Sequence, residues 1–231
     1  LTAGDRCVDV GCGEGKHALA LAERFALDVT GVDPVPRHIE LANERLASAT
    51  DARPELAGRV RFEIASANAL PLADGTVHLV WCRDVLVHVA DLDAAYAELR
   101  RVLRKGGRAL VYQSGLATDR LETREAEWLW KTSGVIPASA DPVRIDDAIA
   151  AAGFHVDRRI DVGAEWGEWS EEHASETDRH LVGAARLLRA PERYVARFGR
   201  AAYDIMLADR LWHVYHMIGK LEARVYLMSR L

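Results

Sequence analysis

The sequence predicts an α/β fold: a doubly wound, mostly parallel sheet of seven strands, with added helices in its C-terminal half. Three observations predict it. Short β-prone apolar runs alternate with helical patterns over residues 5–113. A turn carrying Gly11, Gly13 and Gly15 follows the first run and opens a helix. After Gln113 the rhythm changes, and longer stretches with several tryptophans take over.

The elements follow in order. Arg6 to Val10 reads as the first strand, and Gly15 to Phe25 as a helix with Ala18, Leu21, Ala22 and Phe25 on one face. Asp28 to Val32 is a second strand, ending at Asp33. Pro34 and Pro36 then punctuate, and a helix runs to about Ala47, with Ile39, Ala42 and Leu46 inward. Residues 49–58 are a loop or a frayed helix end. Val60, Phe62 and Ile64 alternate with Arg61 and Glu63, as on a third strand near a sheet edge. Val77 to Cys82 is a nearly all-apolar fourth strand. Leu92, Ala95, Tyr96, Leu99 and Leu103 mark a helix face, and Lys105-Gly106-Gly107 has the chemistry of a helix C-terminus. Arg108 to Tyr112 is a fifth strand.

Beyond Gln113, residues 122–132 read as a short helix with Trp128 and Trp130. Pro142 to Ala152 reads as a helix, and Phe154 to Val162 as a sixth strand. Glu165 to about Ala190 is polar and aromatic. One helix is expected from Pro191 to Ile218, with Val195, Phe198, Ala202 and Ile205 along one side, and Arg224 to Met228 as a last strand.

Bulk properties narrow the function classes. A chain of 231 residues with 49% apolar and 28% charged residues is ordinary for a soluble single domain. The formal net charge of −5, without a basic stripe, argues against a nucleic-acid partner. No apolar run approaches the ~20 residues of a membrane span, and no signal peptide precedes the first strand. The expected location is therefore the cytoplasm. Cys7, Cys12 and Cys82 sit in or beside predicted strands and read as small buried residues, not as disulfides or metal ligands. The chain starts without Met, a few residues before its first strand, so an N-terminal segment is expected to be missing.

In open parallel sheets ligands lie beyond the carboxyl ends of the strands, so the residues just after each strand carry the functional reading. Glycines let a ligand approach the backbone, and a helix start offers free N–H groups and a positive dipole end. Asp33 lies 22 positions beyond Gly11, where a carboxylate can take both hydroxyls of a ribose; its bland alternative is a cap ahead of Pro34. The dinucleotide fingerprint is G-x-G-x-x-G. Here the spacing is G-x-G-x-G, with Lys16 at the third dinucleotide position.

Five segments in order resemble the class I S-adenosylmethionine (SAM)-dependent methyltransferases, small-molecule type, as in quinone and natural-product biosynthesis. They are Asp9-Val10-Gly11-Cys12-Gly13-Glu14-Gly15; Val32-Asp33; Ala67 to Leu72 followed by Asp74; Trp81 to Val89; and Leu103 to Arg108, with Lys105 where the family has proline. The resemblance covers residues 5–113. It implies a Rossmann-like sheet, SAM as cofactor and S-adenosylhomocysteine as product. It implies that Gly11 and Gly13 lie beneath the methionine part, with Asp9 orienting it and Asp33 on the ribose. The Ala67 N–H would meet the adenine ring, and the main chain at Cys82 or Arg83 its amino group. Position 66 departs from the family: Ser66 stands where an aspartate is usual, so the adenine contact lacks charge assistance there.

The chemistry then expected is in-line methyl transfer, mostly a matter of positioning and water exclusion. His88, after the fourth strand, is the candidate base for an acceptor that keeps its proton; its alternative is a packing or loop role. Arg83 is a candidate for a carboxylate of SAM or of an acidic substrate, or else a salt bridge. Tyr112 and Gln113 are candidates to line the acceptor site. Trp128, Trp130, Trp166, Trp169 and Trp212 would form an apolar lid or simply pack the added helices. His213 and His216 flank Tyr215 and read as helix-surface or interface residues, and no metal site is expected.

The expected organisation is one methyltransferase domain over 1–231. Its cofactor-binding core is 1–113, its lid 114–145 and 163–218, and its last strands 154–162 and 224–228. The expected function is methyl transfer to a small-molecule acceptor, oxygen first, with nitrogen or carbon next. The alternatives are a SAM-binding protein without transfer activity and a methyltransferase acting on protein or RNA. Against RNA, Cys82-Arg83-Asp84-Val85 stands where base-amino methyltransferases carry an N-P-P-Y-type segment. Oligomeric state is left open, a homodimer among the choices.

Overall fold

Strands β1 (Arg6–Val10), β2 (Asp28–Asp33), β3 (Val60–Ile64), β4 (Val77–Arg83) and β5 (Leu103–Ala117) pair in parallel: β1 with β2, β1 with β4, β2 with β3, β4 with β5. With β6 (His155–Asp161) and β7 (Leu221–Ser229) they form a seven-stranded sheet in the order β3-β2-β1-β4-β5-β7-β6. The order runs outward from β1 to β3 and then restarts on the other side of β1 with β4. The switch point between β1 and β4 is therefore where the carboxyl ends leave a crevice. This computed structural model describes residues 1–163, 165–174 and 176–231; the side chains at positions 166, 167, 170, 174, 176 and 177 also lie outside the description.

The chain divides into two compact units. One comprises Leu1–Tyr112, Ile145–Arg159 and Val225–Leu231, the other Gln113–Arg144 and Ile160–Arg224. In the first unit the sheet is sandwiched because its central strands are apolar on both faces: Val8, Val80 and Cys82 are fully buried, and so is Cys7 on the opposite pleat. The three cysteines are free and buried.

Helix α1 (Lys16–Phe25) buries Ala18, Leu19, Leu21 and Ala22 against Cys7, Val29 and Leu79. Phe25 does not join them, being 59% exposed. Ala26 turns the chain with φ +51°, and Leu27, 1% exposed, takes the core position instead. Helix α2 (Pro36–Ala52) runs past Ala47, because a following proline is what stops it: Arg53, pushed to φ −142°, precedes Pro54. On edge strand β3, Val60 and Phe62 point inward, but Ile64 at its end is exposed.

Helix α3 (Leu92–Val102) is capped by Asp91, whose Oδ1 accepts from the Ala94 N–H at 3.0 Å. It ends before Leu103, so Lys105-Gly106-Gly107 does not cap it. Leu103 is already extended, and the two glycines lie inside β5, exchanging backbone hydrogen bonds with Arg230. A Cβ on Gly107 would lie 2.9 Å from the Arg104 carbonyl oxygen, so the strand crosses there only without a side chain. Helix α5 (Pro142–Ala151) buries Ile145, Ala148 and Ile149.

In the second unit, α4 (Thr123–Ser133) starts with a reciprocal capping box between Glu122 and Glu125. Leu129 meets Ala208 and Leu221, with Trp128, Trp212 and Tyr215 packed around them. Residues 165–190 hold two helices, α6 (Glu165–Ala174) and α7 (Glu176–Arg189). The single helix expected over 191–218 is two, α8 (Pro191–Phe198) and α9 (Arg200–Met217), because Gly199 adopts φ +83°, ψ +160°. Along the side carrying Val195, Phe198, Ala202 and Ile205, Val195 packs against a core cluster but Phe198 and Ile205 are 48% and 57% exposed, while Tyr203, Leu207, Ala208 and His216 are buried. His216 therefore is no surface residue. Its Nε2 lies 3.3 Å from the Gly115 amide, and the His213 ring stacks on His180 at 3.7 Å between centroids. The Trp166 side chain falls outside the described residues, and Trp169 is exposed. Among the described residues no helix is long and apolar enough to cross a membrane, and no cluster of three metal-ligating side chains occurs.

Candidate functional site

A cleft of about 590 Å³ opens at the carboxyl ends of β1 to β4, within the first unit. Its wall contains Gly11, Gly13, Asp33, Ser66, Ala67, Arg83 and His88, seven of the nine residues expected from the sequence to hold the cofactor or act as base; Tyr112 and Gln113 are not in it. Asp9 and Cys82 do not line it; they stand behind the wall, 2% and 0% exposed.

The turn after β1 is built by positive φ angles at Gly11 (+69°), Gly13 (+51°) and Gly15 (+77°). The Gly11 and Cys12 amides both donate to the Val32 carbonyl, at 2.8 and 2.9 Å, which locks the turn onto the end of β2. The three glycines have different neighbours. A Cβ on Gly15 would collide with Phe62, and one on Gly11 with Val85, whereas one on Gly13 would meet nothing within 4 Å. Gly13 is thus the point where a ligand can lie on bare backbone.

Asp33 closes β2 with its carboxylate in the cleft wall, 6% exposed. Oδ2 accepts from the Gly13 N–H at 3.0 Å, and Oδ1 accepts from the Val35 N–H at 3.0 Å. Nδ1 of His38, on the first turn of α2, stands 3.0 Å from Oδ1. Asp33 is not the cap weighed as its alternative: Val35 is the N-cap residue of α2, and Asp33 accepts from its N–H just before the helix while its carboxylate stands in the cleft. A carboxylate has about four acceptor positions, so one is left, on Oδ2.

Behind the turn, burial pushes the Asp9 carboxyl up to about 7; the Ala18 N–H opposes this and the Asp33 charge adds to it. Its Oδ2 is buried without a hydrogen-bond partner. Burial likewise raises the Cys82 thiol, with Asp9 and Asp84 contributing, which leaves it an inert core group.

On the far wall, the Ser66 carbonyl accepts from Ala69 at 3.1 Å, shaping the loop that presents Ser66 and Ala67. The neighbouring Asn68 is tied through Nδ2 to the Asp91 carbonyl at 3.4 Å. After β4, Asp84 takes φ +56°, a conformation that aspartate tolerates better than most residues, and its N–H donates to the Tyr112 carbonyl at 2.9 Å. That kink turns the chain into the 3-10 turn Leu86–His88, which buries Leu86 and Val87 and leaves His88 exposed on the cleft. The Arg83 guanidinium lies over the Tyr112 ring at 5.5 Å.

Sequence reasoning passed over His38, Asp84, Val85 and Val89, which also line the cleft. For His38 a signal existed: it is five positions beyond Asp33, just past Pro36, where a first helical turn carries a side chain back toward the preceding strand end. For Val85 no local pattern points to its lying over Gly11, 74 positions away in the chain.

Residues 8–111 match the family described as a methyltransferase domain. A methyltransferase of Streptomyces halstedii, GfsG, is 36% identical over 111 residues, covering 48% of this chain and 38% of that protein. The 27-O-demethylrifamycin SV methyltransferase of Amycolatopsis mediterranei is 38% identical over 108 residues, covering 47% and 38%. The chain thus spans well under half the length of these relatives. Among solved structures, phosphoethanolamine N-methyltransferase 2 of Haemonchus contortus, bound to phosphomonomethylethanolamine and S-adenosylhomocysteine, superposes with a TM-score of 0.73. It is 21% identical, with 100% of this chain and 49% of that one covered, a likeness of fold.

Proposed function

With residues 8–111 matching a methyltransferase domain, we propose that the chain is a class I SAM-dependent methyltransferase, that the cleft takes SAM and that the protein methylates a small-molecule acceptor, oxygen first among the acceptor atoms. The observation that carries this is the bare backbone at Gly13 beside the Asp33 carboxylate, at the switch point of the sheet. The relatives include a 27-O-demethylrifamycin SV methyltransferase and two Aspergillus O-methyltransferases, which supports oxygen as the acceptor atom.

The residues present fit such a cofactor. Open space over Gly13 admits a chain of methionine thickness. The partnerless Asp9 Oδ2 behind the turn can accept from an ammonium group, directly or through water. The last acceptor position on Asp33 can take a ribose hydroxyl. Ala67 and Ser66 offer backbone and hydroxyl to the base, and Val85, Val89 and Val35 supply apolar surface.

When bound, SAM supplies a methyl group already activated on a sulfonium, for an in-line displacement. This chain's residues then do three things. The glycine turn and Asp33 fix the position of the donor. The valines at the cleft exclude water. His88, exposed on the cleft, takes the proton of a phenol or alcohol on a ring nitrogen as the new bond forms. Arg83 is placed to hold a carboxylate of the donor or of an acidic acceptor. Acceptor choice is assigned to segments 114–145 and 163–218, outside the residues that match the family.

Two measurements test this reading. Calorimetry with SAM and S-adenosylhomocysteine reads binding, and methyl transfer from labelled SAM across phenols, amines, quinones and polyketides reads turnover. Binding with turnover on a subset of the panel is expected. Absence of binding removes the cofactor, and binding with a flat panel removes the small-molecule acceptor.

A further inference from the structure

The Asp33 carboxylate is more heavily engaged than a ribose clamp allows. Its Oδ1 already accepts from Val35 N–H and stands 3.0 Å from His38 Nδ1; its Oδ2 already accepts from Gly13 N–H. One acceptor position remains for a ligand with two adjacent hydroxyls. The second hydroxyl needs another partner.

His38 has the means. A carboxylate only accepts, so the proton on the Nδ1 side belongs to the imidazole, and Nδ1 donates to Asp33. Nε2 has no partner among the described residues, and the ring is half-exposed in the cleft wall. The Asp33 bond holds the ring in one orientation, as a carboxylate does for a metal-bound imidazole. A hydroxyl can donate to a bare Nε2 or accept from a protonated one, so the contact survives either charge state.

We propose that His38 is a cofactor-binding residue: Asp33 and His38 divide the vicinal diol of the nucleoside, one hydroxyl on Asp33 Oδ2 and the other on His38 Nε2. This rests on the SAM reading of the cleft. Each hydroxyl then makes a separate, removable contact. Loss of one such hydrogen bond corresponds to roughly a fivefold to tenfold change in affinity.

The test uses the whole chain and three probes: S-adenosylhomocysteine and its 2′-deoxy and 3′-deoxy forms, titrated by calorimetry. The wild type is expected to prefer the parent ligand over both deoxy forms. His38→Phe keeps the ring shape without nitrogens. His38→Asn keeps a donor at the Nδ1 position and so keeps Asp33 held, but has nothing at Nε2. Both are expected to melt like the wild type and to lose the preference against one deoxy form while keeping it against the other. Full preference retained in His38→Asn overturns the inference, as does an equal loss of affinity for all three ligands, which marks a purely structural role. A wild type that binds none of the three overturns the SAM reading itself, and the inference with it.

Discussion

Val85 stands directly over Gly11: a Cβ on Gly11 would lie 2.1 Å from Val85 Cγ2. The loop after β4 thus rests on the turn after β1, and the two walls of the cleft are set against each other by one missing side chain. Gly11→Ala would meet a stiff β-branched neighbour and also a φ of +69°. We expect a loss of about 2–4 kcal/mol, read by chemical denaturation, with Gly11→Ala/Val85→Ala recovering only the steric share.

Gly13→Ala separates binding from folding. Its Cβ meets nothing within 4 Å, so only the φ of +51° opposes it, at about 1–2 kcal/mol. The new methyl projects into the space assigned to the cofactor. Calorimetry should show S-adenosylhomocysteine affinity falling at least tenfold while the melting temperature drops by a few degrees. Unchanged affinity would move the ligand away from this turn.

Asp9 makes stability fall with rising pH. Its carboxyl, ordinarily at 3.8, is pushed to about 7 by burial. Between those values the folded chain keeps a proton that the unfolded chain releases, so raising the pH favours unfolding. The group's contribution is greatest below pH 4, declines toward pH 7 and is flat above it, spanning on the order of 4 kcal/mol. The difference between wild-type and Asp9→Asn unfolding curves across pH 4–8 should carry that slope; a flat difference refutes it.

His216 acts with the opposite sign. Burial, helped by His213, lowers its imidazole from 6.5 to about 4. The unfolded chain takes up a proton between those values and the folded chain does not, so stability is lost as pH falls from about 6.5 to about 4. His216→Gln, which can still accept from the Gly115 amide, should remove roughly 2 kcal/mol of that acid sensitivity, measured by denaturation at pH 7.5 and 5.

His88→Ala should lower turnover on a phenolic acceptor by roughly a hundredfold with SAM saturating, if His88 is the base proposed above. S-adenosylhomocysteine affinity should stay within about twofold. Equal turnover in the variant would reduce the chemistry at this site to positioning.

The first half of the chain was readable because local signals and tertiary environment agree there. Val8, Val10, Val80 and Cys82 are apolar where the strands are buried on both faces, and the glycine turn sits where a strand must give way to a helix. Errors arose where a residue's role depends on a distant partner. Lys105-Gly106-Gly107 has the local chemistry of a helix end, yet pairs with Arg230 inside a strand. Phe25 looks like a core residue, but Leu27 already fills that place. In the second unit the helical period was visible, while Gly199 broke one expected helix into two, and Phe198 and Ile205 are exposed.

By itself the sequence determined the alternation of strands and helices over residues 5–113, the glycine turn, the acid at the end of β2 and, through five segments in order, the resemblance to a methyltransferase family. These are matters of spacing along the chain, which period and turn chemistry specify locally. Only the tertiary structure decided how the Asp33 carboxylate is shared among Gly13, Val35 and His38, why Gly11 cannot carry a side chain beneath Val85, and that His216 is buried. The reason is that acceptor positions and van der Waals space are allotted among residues far apart in sequence, and only folding brings them to compete.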